Sequence, residues 1–263
     1  MIATMEASRA AGASAVSPAA HPGLEVKKMK KWKSFTMALL MASPSVWSAD
    51  PMTDAMQVAY APYRAALFAT NSGSAAEAGK AVEQGQAQWA KVVKRFGAKP
   101  VAPYDKDPEV DSTFKAVSGV YAKAKAEVQE GKLGQAHETL ERIRDLLAGL
   151  RERNQVIVFS DHMNAYHAEM EHMIVEGPVW LKSEDGLSRV QSQTGVLAYL
   201  AAQLAAKAPA ALSSDAAFEQ ALAAVQKSVA DMGQASASGD RAAIKDAIKG
   251  LKKPYSKLFL NFG

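Results

Sequence analysis

The chain has 263 residues, with 31 Lys and Arg against 27 Asp and Glu, a formal net charge of +4 and no cysteine. Without cysteine there is no disulfide framework and no C-x-x-C-H site for covalent c-type haem, so an exported form must be held by its core. The basic excess belongs to residues 1–49, where Arg9, Lys27, Lys28, Lys30, Lys31 and Lys33 face only Glu6 and Glu25; the rest is charge-balanced, and nucleic acid is not an expected partner.

Residues 1 to about 26 are rich in Ala, Ser and Gly without an apolar period, and read as a disordered leader. The next segment, KKMKKWKSFTMALLMASPSVWSAD, has a basic start, a short apolar run from Phe35 to Ala42 and small residues at Ser48 and Ala49, the build of a secretory signal peptide. The run is far below the roughly 20 residues that span a bilayer. Met29 makes a compact alternative start. The mature chain is then expected to begin near Asp50, to be periplasmic and to have no membrane span.

Beyond that point apolar residues recur every three or four positions and strand-like alternation is scarce. The pattern predicts helices at about 52–69, 74–96, 108–129, 132–153, 161–175, 184–206, 214–235 and 240–261. Leu133, Ala136, Leu140, Ile143, Leu147 and Leu150 form the clearest stripe. Pro100 and Pro103 separate the second helix from the third, Gly177-Pro178 is expected to end the fifth, and Ser213-Ser214-Asp215 offers an N-cap for the seventh. Residues 72–97 align without gaps to 238–263, matching Ser72/Ser238, Gly73/Gly239, Phe96/Phe262 and Gly97/Gly263, with Trp89/Tyr255 as a conservative pair. Phe96 and Phe262 are expected to close their helices before glycines able to take the left-handed C′ conformation, and Pro254 breaks the second copy near Gly250. Turns at Gly73, Gly131, Gly186 and Gly239 give an all-α chain of four αα-hairpins. These form tandem four-helix units at 50–154 and 155–263, with one continuous eight-helix array as the alternative.

Residues 49–154 resemble the soluble periplasmic cytochrome b family of four-helix bundles. The resemblance is carried by the Ala49-Asp50 start, Met56 in the first helix and the turn Glu130-Gly131-Lys132-Leu133-x-x-Ala136. It implies a bundle holding non-covalent haem between a first-helix Met and a last-helix His. Met56 matches the first ligand, whereas the second position falls on Arg151. The family's Asn-Ala-Tyr-His tetrapeptide occurs later, as Asn164-Ala165-Tyr166-His167.

The histidines past the leader, His137, His162, His167 and His172, cluster around the segment SDHMNAYHAEMEHM. At about 100° per residue, Phe159, Met163, Tyr166, Met170 and Met173 fall within roughly an 80° arc, a core stripe. Met163, His167 and Met170 share one side, and thioether with imidazole suits Cu(I) or axial haem ligation better than Mg or Ca. If residues 132–175 form a hairpin rather than one helix, His137 pairs with Met173, and Glu141 with Glu169, as outer-shell acceptors for the imidazoles. Glu169-x-x-His172 has no second E-x-x-H, which leaves a di-iron site without its other half. Ser160-Asp161-His162 are adjacent on a helix and diverge, so no hydrolytic triad is expected.

These features predict a periplasmic, non-enzymatic helical bundle binding a soft transition metal, copper first, through His137, His162, Met163, His167, Met170 and Met173. A b-type haem electron-transfer bundle, or a cofactor-free envelope protein that binds a periplasmic partner, are the alternatives.

Overall fold

Asp50 opens the first helix: its Oδ1 accepts the N–H groups of Met52 (3.0 Å) and Thr53 (2.9 Å), and Pro51 stands where no donor is needed. The computed structural model describes residues 50–263, so the leader, the signal peptide, the Met29 start and the cleavage site lie outside the described residues. The described chain is helical throughout, with α1 at Pro51–Ser72, α2 at Ala75–Phe96, α3 at Val110–Gln129, α4 at Leu133–Arg153, α5 at Phe159–Trp180, α6 at Gly186–Lys207, α7 at Ala210–Ser213, α8 at Ala216–Ser238, α9 at Arg241–Gly250 and α10 at Lys252–Phe262. No strand occurs among the described residues, and none of their helices is long and apolar enough to cross a membrane.

Consecutive long helices pair as hairpins. α1 packs on α2, α2 on α3, α3 on α4, and α4 closes on α1. A second ring follows in α5, α6, α8 and the α9–α10 pair, which returns to α5. α1 and α10 also pack together, and one continuous apolar core runs through both rings. Short polar turns make the reversals possible: Gly131 and Gly239 take left-handed φ of 73° and 72°, open to glycine and strained for a β-carbon.

The aligned pair Trp89/Tyr255 does the same work in both copies. Trp89 is buried and its Nε1 donates to the Phe114 carbonyl (3.3 Å) and to Ser118 Oγ (3.2 Å), tying α2 to α3. Tyr255 is buried and its hydroxyl donates to the Met163 carbonyl (3.1 Å), tying α10 to α5.

Of the two readings of 132–175, the hairpin is the one present: the chain turns at 154–158, where Gln155 takes a φ of 57°. Other expectations are corrected. Pro178 does not end α5, because the carbonyls of Gly177 and Val179 are still taken by Leu181 N–H (3.1 Å) and Lys182 N–H (3.0 Å). A proline in a last turn costs one donor but leaves those later bonds intact. α2 closes at Phe96 as expected, but Gly97 caps it in a right-handed conformation (φ −60°, ψ −41°), its N–H bonded to the Val93 carbonyl (2.8 Å). The break near Gly250 falls at Leu251, with Pro254 in the first turn of α10, where a missing N–H is harmless. Asp215 caps α8 as expected, its Oδ1 accepting from Ala217 and Phe218.

Candidate functional site

On α4, His137, Glu141 and Arg144 fall at i, i+4 and i+7, so helical geometry stacks them on one face. On α5, His167 and Glu171 are likewise one turn apart. The α4–α5 reversal brings these faces together: Arg144 Nη1 donates to His167 Nδ1 (2.7 Å). Lys252, at the start of α10, ion-pairs with Glu171 (2.9 Å), and Arg64 of α1 donates from Nε to the Leu260 carbonyl (3.2 Å). Arg64, His137, Glu141, Arg144, His167 and Lys252 line one cleft of about 60 Å³ where α1, α4, α5 and α10 meet. That is room for a few waters or one small polyatomic ion.

The two histidines are held in opposite tautomers. A guanidinium can only donate, so His167 Nδ1 accepts from Arg144 and the ring proton sits on Nε2, toward Glu171 Oε1 at 3.6 Å. A carbonyl can only accept, so His137 carries its proton on Nδ1, donated to the Leu67 carbonyl (3.1 Å), and turns Nε2 toward Glu141 at 3.6 Å. Thr70 Oγ1, 3.3 Å from the same Nδ1, supports this orientation.

The charge balance of the cleft is positive. Three fixed cations line it against two carboxylates, Glu171, which pairs with Lys252 just outside the lining, and Glu141, which stands 3.6 Å from Arg144 and receives no hydrogen bond among the described residues. Glu171 is spoken for: the neighbouring His167, then Lys252, hold its carboxyl down at about 2 against the opposing effect of burial. No carboxylate lies within ion-pair distance of Arg64 among the described residues, and burial pushes its pKa down, the mark of an uncompensated cation. Arg144 Nε is buried without a partner among the described residues, and the guanidinium lies 5.7 Å over the Phe259 ring.

Of the residues expected from sequence, His137 and His167 share the cleft. Met163, Met170 and Met173 are fully buried in the core and do not line it. His162 is half-buried and also outside the cleft, and His172 is exposed, its ring centroid 5.2 Å from that of Trp180. Met170 and Met173 do not line the cleft with His137, and it is Arg144 that reaches from α4 to His167 on α5. No group of three or more His, Cys, Asp or Glu able to hold a metal occurs among the described residues.

The haem position implied by the resemblance does not fit a haem. Arg151 is 1% exposed and bound in a bidentate fork to Asp161, its Nε 3.0 Å from both carboxylate oxygens and its Nη2 also on Oδ1. Asp161 meanwhile accepts the Val158 N–H (3.0 Å) at the start of α5. A buried cation already satisfied in this way cannot ligate iron, and Met56 is packed in the core. Sequence reasoning missed Arg64, Arg144 and Lys252. Arg144 had a local signal, its helical spacing from His137 and Glu141; the other two arrive from distant helices.

No protein-family model, curated protein or solved structure matches this chain.

Proposed function

We propose that this protein is a non-enzymatic, periplasmic helical bundle that binds a small anion in the cleft between α1, α4, α5 and α10. The observation that carries it is Arg64, which lines this small space beside Arg144 and Lys252 but, unlike them, has no carboxylate within ion-pair distance among the described residues. A cation left partly buried without an acid is destabilising, and an anion that supplies the missing charge recovers that loss on binding. The anion is preferred to copper because the guanidinium of Arg144 occupies the acceptor nitrogen of His167, and fixed positive charges repel a metal cation.

Titration calorimetry at low ionic strength with acetate, nitrate, phosphate and sulfate, alongside Cu(I) and Cu(II), tests this. At least one anion is expected to bind saturably, with affinity falling on added salt. Arg64→Gln is expected to weaken it by roughly tenfold or more, since a hydrogen bond to a charged group contributes about 1.5–3 kcal/mol. Copper binding with no anion binding would overturn the proposal in favour of the metal.

A further inference from the structure

The cleft contains acceptors as well as cations, and these limit which anion fits. Glu141 lines it with a carboxylate that accepts no hydrogen bond among the described residues; its contacts to Arg144 Nη2 and His137 Nε2, both 3.6 Å, are ion-pair distances only. In the neutral imidazole, His137 Nε2 is a second bare acceptor, because Nδ1 is committed to the Leu67 carbonyl. These two acceptors, 3.6 Å apart with side chains 25% and 38% exposed, need a donor from outside the protein, and a ligand O–H approaching from the cleft supplies it in place of water. A fully ionised oxyanion has no such donor, and sets its own oxygen against Glu141.

Resting on the cleft being the anion site, we infer that its ligand is an oxyanion that carries a proton of its own, of the monohydrogen phosphate class. Arg64, Arg144 and Lys252 take the charged oxygens, and Glu141 accepts the remaining O–H. Glu141 thereby acts as a specificity residue, admitting a protonated oxyanion and rejecting an isosteric one that lacks the proton. The small volume, about 60 Å³, suits the free ion better than an ester carrying a larger organic group.

Three tetrahedral dianions separate the proton from charge and shape at pH 8. Inorganic phosphate is then mainly monohydrogen phosphate, whereas sulfate and methyl phosphate have no proton left, the ester's second pKa being about 6. Calorimetry at fixed ionic strength is expected to give phosphate at least about tenfold tighter than either. In Glu141→Gln the phosphate-to-sulfate ratio is expected to collapse toward one, because an amide can turn its NH₂ to an oxygen that brings no proton. Equal binding of phosphate and sulfate by the wild type overturns the inference and leaves the anion site standing. Methyl phosphate binding as tightly as phosphate also overturns it, and points to a phosphate ester instead. Failure of every anion, with circular dichroism showing folded helix, overturns the anion site and this inference together.

Discussion

Glu171 joins two helices through one carboxylate, meeting His167 on its own helix and Lys252 at the head of α10. Its folded value of about 2 lies below the ordinary 4.5, so the unfolded chain takes up the proton first as pH falls. The stabilisation it gives is therefore complete above about pH 4.5 and is lost as pH drops toward 2. Urea unfolding of wild type and Glu171→Gln should show a stability gap at pH 6 that closes steadily below pH 4.5. A gap of constant size would mean that the carboxylate charge plays no part. At this scale the sequence was half legible. The methionine stripe of α5 was readable, since a 4-3-4-3 spacing puts Met163, Met170 and Met173 on one buried face. The partner of His167 was not, because Arg144 reaches it across a gap that no local period describes.

Glycine positions show how far helix-level rules carry. Gly119 lies exposed within α3 with nothing within 4 Å of a would-be β-carbon, so Gly119→Ala should stabilise the protein by up to about 1 kcal/mol through propensity alone. Gly85 is buried in α2, where a β-carbon would stand 2.7 Å from Cε1 of Tyr121. The same propensity gain there is offset by about 1–3 kcal/mol of overpacking against a ring that cannot bend aside, so Gly85→Ala should be destabilising. Chemical denaturation of the two variants side by side checks both signs. The eight long helical segments and the hairpin order were legible because apolar period, caps and turn glycines are local signals, whereas the one-turn α7 was not among them. Helix ends were less so: Pro178 sits where only one donor is lost, and Gly97 has no neighbour demanding a left-handed turn.

At the scale of the whole chain, the two helix rings share one apolar core and several cross-ties. Tyr60 meets Phe259 edge-on at 6.4 Å, Arg64 reaches Leu260, and Arg151 grips Asp161. Breaking one ring exposes the buried face of the other, so both should unfold together. Trp89 in α2 and Trp180 in α5 are separate fluorescent reporters of the two rings. In Trp89→Phe and Trp180→Phe variants with Trp32 and Trp47 also replaced by Phe, the remaining signal is expected to follow the helical circular dichroism in one coincident transition. Two resolved midpoints would show that the rings melt independently. The repeat made the halves visible in the sequence but said nothing of the seam, since a match between two segments carries no information about their contact.

The joint at Leu251 has a meaning that the repeat brings out. Its aligned counterpart is Gly85, in the middle of an unbroken α2. One copy of the hairpin thus remains a straight helix, while the other is broken, and its last 11 residues form a separate helix packed against both α1 and α5. Lys252, Tyr255 and Phe259 all lie on that helix. The two matching segments differ by this one interruption, and it sets the first residue of α10 at the edge of the cleft.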